Sequence, residues 1–319
     1  MLGHYTLWNM IVFLAGVAVC LLVDLRAHKA DTAISAKSAL LWSIFWIALA
    51  VAFGLYIGLS HGTDDAFLYF SGYLLEKSLS VDNLFVIMAV FSSFAIRDEY
   101  QHRVLYYGIL GALVLRLVFV SVGTSVLALF GAYALAGFGL FVLWSAWKMW
   151  QQMGEDTEEI EDYTNHWAVS LTRRFLPVHN RLEGHDFFTR VQEGGKSVQK
   201  ATPLLLCLVV VEFSDVMFAF DSVPAVIAIT RDPFLVYTSN IFAILGLRSL
   251  YFLLAAAKRY LRHLEKAVIA ILVYIGLKML LDVAGVIHLS PMLSLCVVLG
   301  FLAAGVAASL LLPGRSESG

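Results

Sequence analysis

Carboxylates buried inside long apolar runs are the first chemical signal in this sequence. Glu76 and Asp82 lie in Tyr73-Leu-Leu-Glu-Lys-Ser-Leu-Ser-Val-Asp-Asn-Leu-Phe-Val-Ile87. Glu212, Asp215 and Asp221 lie in Glu212-Phe-Ser-Asp-Val-Met-Phe-Ala-Phe-Asp-Ser-Val-Pro-Ala-Val226. In each segment two acids stand six residues apart, and the second is followed by a small polar residue, Asn83 or Ser222. A charged side chain at the centre of a membrane helix costs about 2.5–3.5 kcal/mol on insertion scales, so such residues mark ion or proton paths. The donors are all oxygen: carboxylates, an amide, a hydroxyl and backbone carbonyls. That set suits Mg²⁺, Ca²⁺ or Mn²⁺ and weighs against Cu⁺ or thiolate-bound zinc. Met217, the one soft atom nearby, is assigned to packing. The in-run acids Asp24, Glu76, Asp82, Glu212, Asp215, Asp221 and Asp282 outnumber the in-run bases Lys77, Arg116, Arg248 and Lys278. An excess of negative charge suits a bound cation or protons. The alternative is a set of interhelical ion pairs and hydrogen bonds that holds a bundle together.

The elements that carry these acids must span a membrane. Of 319 residues, 60 % are hydrophobic and 14 % charged, against roughly 25 % charged in a soluble globule. A net charge of −2 leaves no nucleic-acid footprint, and the three cysteines are too scattered for a disulfide framework or zinc site. Apolar runs long enough for a bilayer about 30 Å thick lie near 7–25, 39–59, 66–96, 104–122, 125–147, 203–229, 234–257, 267–287 and 292–312. These predict an all-α, polytopic transmembrane bundle of about nine spans. The first run has no basic region ahead of it and no small-residue cleavage pattern, so it reads as a retained span. The Lys and Arg residues outside the runs follow spans one, three, five, seven and nine, with Arg231 alone on the other side. By the positive-inside rule the N-terminus is outside and the C-terminus cytoplasmic.

The two acidic segments belong to a repeat. Arg97-Asp98 answers Arg231-Asp232, and Arg116 in span four answers Arg248 in span seven. Three crossings separate spans three and six, so the copies run in opposite directions. Inverted-topology repeats are the architecture in which secondary transporters hold substrate at the midplane. At 100° per residue, Glu76 and Asn83 fall within about 20° of each other, as do Asp215 and Ser222, whereas Glu76 and Asp82 are about 120° apart. Either the aspartates face the partner repeat, or the helices unwind near Asp82 and Asp221. The length of the third run and Pro224 favour unwinding. Arg116 and Arg248 neutralise the carboxylates and fix helix register, or serve as tethered counter-cations that an incoming metal displaces. Lys278 and Asp282, four residues apart, are expected to pair. Asp24 lines the cytoplasmic mouth or sits at the interface.

The expected organisation is a membrane part over 1–147 with the first acidic repeat, a cytoplasmic loop over 148–202, and a second membrane part over 203–319. The loop opens acidic at 155–162. It continues with Trp167, Leu171 and Phe175 at helical spacing and Arg173 and Arg174 on the other side, which reads as a helix lying on the bilayer surface. A protein partner or metal sensor acting through this loop is the alternative.

The stretches Gly72–Val86 and Glu212–Ala225, with Arg231-Asp-Pro233 and Asn240-Ile-Phe-Ala-Ile-Leu-Gly-Leu-Arg248, resemble the TerC/Alx family of bacterial integral membrane proteins over nearly the whole chain. The resemblance implies a cytoplasmic-membrane exporter of divalent metal, chiefly Mn²⁺. Its metal path maps onto Glu76, Asp82, Asn83, Glu212, Asp215, Asp221 and Ser222, with Arg116, Arg248 and Asp24 in gating or charge balance. The family name comes from tellurite resistance, but carboxylates would repel a tellurium oxyanion. The expected activity is alternating-access export of Mn²⁺, or of Ca²⁺ or another divalent cation, by proton exchange. No enzymatic activity and no tightly bound cofactor are expected, and no Walker motif indicates ATP-driven pumping. The competing readings are a membrane scaffold that helps insert or metallate other proteins, and proton-linked movement of a monovalent ion.

Overall fold

The computed structural model describes residues 5, 7–27, 36–152, 163–179, 186–193, 196–257, 264–286 and 289–311. The helices are α1 (Leu7–Ala27), α2 (Ala36–His61), α3 (Thr63–Ser93), α4 (Asp98–Phe130), α5 (Ala132–Gln152), α6 (Trp167–Phe175), α7 (Pro203–Ile229), α8 (Pro233–Ile244), α9 (Leu247–Ala257), α10 (Leu264–Val283) and α11 (Pro291–Leu311). A 3₁₀ turn (Tyr163–Asn165) precedes α6, and an antiparallel hairpin of β1 (Phe188–Glu193) and β2 (Lys196–Ala201) precedes α7. The fold is that of an all-α integral membrane protein, and this small hairpin is an addition that the apolar pattern does not announce. The acidic stretch 155–162 lies outside the described residues.

Among the described residues, five helices, α2, α4, α5, α7 and α11, are long and apolar enough to cross a bilayer. Helices α8 and α9, bent by 43° at their junction, meet the same test together as one broken span. The mid-helix charges Glu76, Lys77 and Asp82 lower the apolarity of α3, a helix of 31 residues.

The unwinding expected near Asp82 and Asp221 does not occur: α3 and α7 are continuous through both positions, and α7 carries Pro224 inside it. The break falls in span seven instead. There α8 stops at Ile244, Gly246 takes φ +82°, and α9 starts at Leu247. Trp46 of α2 fills the crook, so that a Cβ on Gly246 would come within 2.6 Å of its indole. Both the left-handed backbone and the contact require glycine here.

The halves are related as the repeat predicts. Helix α3 packs on α8, α7 packs on α4, and α5 packs on α10. Arg97 precedes α4 without a side-chain capping bond and Asp98 is its first residue, whereas Asp232 caps α8, where its Oδ1 accepts from the Phe234 and Leu235 amides at 2.8 and 3.4 Å. The third pair of helices shows the relation most directly. A Cβ on Gly139 would meet Leu280 at 3.1 Å, and one on Gly276 would meet Leu143 at 2.7 Å. Each would also approach the other glycine's carbonyl, at 3.4 and 3.1 Å. Reciprocal contacts of this kind define an antiparallel crossing at two Gly-x-x-x-Leu motifs, 139–143 and 276–280. Gly276→Ala is therefore expected to push α5 and α10 apart and cost about 1–3 kcal/mol. Thermal unfolding of the detergent-solubilised protein checks this, with Gly137→Ala, where a Cβ meets open space, as the control.

Lys278 and Asp282 interact electrostatically, as their spacing predicts, and each also finds a partner in another segment. The Lys278 Nζ donates to Ser294 Oγ of α11 at 2.5 Å, and Asp282 pairs with Arg231 at 2.5 Å. Asp282 is thereby matched to the one basic residue that broke the orientation pattern. On α6, Arg174 is not opposite the apolar residues: seven residues from Trp167, it falls within about 20° of it.

Tyr5, ahead of α1, packs into the bundle. The Tyr5 ring stacks on Phe234 at 4.2 Å, and its hydroxyl donates to Asp65 Oδ2 at 2.9 Å. Burial, reinforced by the Asp65 carboxylate, holds the hydroxyl well above its ordinary pKa, so it remains a donor.

Candidate cation site

The apolar interior is divided by depth. One core draws on residues 69–79 of α3, 112–120 of α4 and 219–229 of α7. The other draws on 81–94, 100–105 and 204–211 of the same helices. The seam between them falls near mid-length of each helix, and the charged residues gather there and just beyond it.

Arg116 of α4 is the centre of this layer, with a side chain 1 % exposed. Its Nη1 donates to Glu76 Oε1 of α3, to Ser222 Oγ of α7 at 2.9 Å and to Asn240 Oδ1 of α8 at 2.7 Å. Its Nη2 lies 3.7 Å from Asp215 Oδ1 of α7. Three acceptors crowd one nitrogen that carries two hydrogens, so the guanidinium is shared rather than evenly saturated. Glu76 is fully buried, and Asp215 retains 17 % exposure. Among the described residues, Glu76 Oε2 and Asp215 Oδ2 are buried oxygens with no hydrogen-bond partner. Two carboxylates on one guanidinium leave this cluster one negative charge in excess when both are ionised.

The cluster joins the two repeats. Glu76 comes from the first acidic segment, Asp215 and Ser222 from the second, and the heptad spacing of Asp215 and Ser222 puts both on the face that meets Arg116. Asn83 is buried one heptad from Glu76 on α3 but is not among the groups bonded to Arg116. Glu212 stands one turn nearer the N-terminus of α7 than Asp215, with its carboxylate laid against the bare backbone of α4 at Gly111, where any Cβ would collide with it. Arg248 is buried on α9. The side chains of Asp24, Asp82 and Asp221 lie outside the described residues, although their backbones belong to α1, α3 and α7. Met217 is largely exposed on the outer face of α7 and takes no part. Among the described residues, no three Asp, Glu, His or Cys side chains converge as a ready-made metal cage.

Two contributors escape a motif-based reading. Asn240 is fully buried, with its Nδ2 donating to the Val236 carbonyl at 3.2 Å and its Oδ1 on Arg116. The signal for it is an amide that closes the short polar run Thr238-Ser239-Asn240 within an apolar stretch. Lys77 donates to the Ala243 carbonyl at 3.1 Å, where α8 ends and its last carbonyls lack helical partners. A cation is favoured at that negative helix end.

Gly111→Ala tests the placement of Glu212. The group in the way is the far end of a flexible side chain, so folding is expected to stay within about 1 kcal/mol of wild type while the carboxylate moves. An unchanged melting temperature of the solubilised protein is the expected outcome.

An integral membrane protein with two inverted halves meeting at a buried, carboxylate-rich layer is the class these observations define. Comparison with known families narrows it: the chain belongs to the TerC family of integral membrane proteins, whose model matches residues 61–317. It is 48 % identical to the tellurium resistance protein TerC of Serratia marcescens, over 97 % of this chain and 95 % of that protein. It is 45 % identical to the chloroplastic thylakoid membrane protein TERC of Arabidopsis thaliana, over 83 % of this chain and 66 % of that protein. Similarity to the putative membrane-bound redox modulator Alx of Escherichia coli K12 is 39 %, over 94 % and 92 %. No solved structure matches.

Proposed function

We propose that this chain is a secondary transporter that exports divalent metal cations, Mn²⁺ first among them, from the cytoplasm in exchange for protons. In this reading it crosses the cytoplasmic membrane nine times, with the N-terminus outside. The observation that carries the reading is the convergence of Glu76 and Asp215, from oppositely oriented repeats, on one guanidinium at mid-bundle.

Arg116 acts as a tethered counter-cation. It holds the two carboxylates together and offsets their repulsion. A divalent ion arriving from the cytoplasm by way of Glu212 competes for the same oxygens: Glu76 and Asp215, with Ser222 and Asn240 as neutral donors. This all-oxygen set suits a hard cation. Two positive charges attract the carboxylates more strongly than one, and the guanidinium must swing aside. Opening of the opposite face then exposes the ion to the outside. Protons on the carboxylates and the returning guanidinium together weaken its hold, and the ion leaves. The paired packing of α3 on α8 and α7 on α4 supplies two equivalent interfaces for such rocking.

The names of the relatives, tellurium resistance and redox modulation, describe effects that altered metal balance could produce indirectly. A scaffold role is the second reading, and the tight Arg116–Glu76 pair favours it, because a purely structural ion pair would look the same. Uptake of Mn²⁺ into inside-out vesicles against an imposed pH gradient tests the choice. The proposal requires metal-dependent accumulation that collapses with the gradient, and vesicles that accumulate no metal would favour the scaffold.

A further inference from the structure

Helix α6 has two working faces, and the bundle accounts for only one. At 100° per residue, with Trp167 at zero, Ala168, Thr172 and Val169 fall at about 100°, 140° and 200°. Ala168 and Val169 are buried there, Val169 within the core that includes residues 81–94. Trp167, Leu171 and Phe175 fall at about 0°, 40° and 80°. They are 56 %, 41 % and 74 % exposed. Ser170 and Arg173, at about 300° and 240°, occupy the remaining arc, and Arg174 borders Trp167. The helix thus has a face on the bundle, an apolar face beside it and a polar face turned away from both.

We propose that the apolar face of α6 docks on the anionic phospholipid surface of the leaflet on the side of the basic loops. Continuity with lipid-facing surface is the first argument. Trp167 packs edge-on against Phe213 of α7 at 4.7 Å. Phe213, Met217 and Phe220 form one stripe along α7 at i, i+4 and i+7, and Met217 and Phe220 are largely exposed on the flank of a membrane-length helix. The stripe that meets acyl chains therefore runs without a gap onto Trp167 and along α6. Charge is the second argument. Arg174 borders the apolar face at Trp167, Arg173 lies on the polar face, and no acidic residue lies in α6. Amphipathic helices with aromatic and aliphatic residues on one face and arginines at its rim lie in the headgroup plane and respond to anionic lipid. The docked helix would also hold Phe213, the neighbour of Glu212, against the cytoplasmic end of the bundle. The inference does not depend on which ion, if any, the chain moves.

The test uses the full chain in nanodiscs, with Cys20, Cys207 and Cys296 replaced by alanine and one new cysteine, Phe175→Cys or Ser170→Cys, labelled with an environment-sensitive fluorophore. With phosphatidylglycerol present, the label at 175 is expected to shift to the blue and to be quenched by iodide about threefold less than the label at 170. Adding Arg173→Gln and Arg174→Gln should remove that protection. Equal quenching at both positions in anionic discs overturns the proposal and leaves the face to a protein partner. Protection at 175 that is the same in phosphatidylcholine alone and survives the arginine substitutions overturns the role of anionic lipid.

Discussion

Arg116→Leu is expected to destabilise the protein by about 3–5 kcal/mol, the usual cost of leaving a buried charge without its partner. Glu76 has no exposure at all and shares its carboxylate with that guanidinium, so water cannot replace what leucine removes. Ser222 and Asn240 would lose their donor as well. The matching double variant, Glu76→Gln with Arg116→Leu, removes both charges and is expected to recover most of the loss, because an amide is far cheaper to bury than a carboxylate. Thermal or denaturant unfolding of the solubilised protein measures both. If the double variant were as unstable as the sum of the single ones, the pair would not be coupled and the electrostatic account of the centre would be wrong.

Asp215→Asn is expected to do the opposite: to leave stability nearly unchanged and abolish metal movement. Asp215 stands 3.7 Å from Arg116, retains some exposure and is the looser of the two acids. Its loss still leaves Arg116 paired with Glu76. A hard divalent cation, however, would forfeit one of its two charged ligands. Loss of a buried charge–charge partner is worth about 2–5 kcal/mol, so uptake into inside-out vesicles should fall at least about thirtyfold. Stability measured on the same preparation separates the roles: a variant that melts like wild type but moves no Mn²⁺ supports transport, and one that moves Mn²⁺ normally excludes Asp215 from the path.

Much of this centre could be read before any coordinates. Acids in apolar runs, their six-residue spacing and the echo of Arg116 in Arg248 led to Glu76, Asp215 and Ser222, because the cost of burying charge in lipid makes each such residue informative by itself. The heptad rule also placed Asp215 and Ser222 on one face. What was not legible is tertiary. Which further partners a charge finds depends on neighbours distant in sequence: local spacing joins Lys278 to Asp282, but not to Ser294 and Arg231, which reach them from other segments. The position of the helix break is illegible for a similar reason. Pro224 is a strong local signal, yet α7 absorbs it, while Gly246 breaks its span with help from an indole contributed by α2. Asn240 announces itself only as the last of three small polar residues, Thr238-Ser239-Asn240, in an apolar stretch, and the hairpin before α7 has no apolar alternation to mark it.

The contact between Trp46 and Gly246 bears on what counts as a self-sufficient unit. The family match begins at residue 61, so the residue that fills the crook of span seven lies outside it. Trimming the chain to the matched region would delete the indole that packs into the break between α8 and α9. Such a fragment is expected to be recovered as aggregate, and supplying residues 1–60 as a separate polypeptide is the complementation that should restore it.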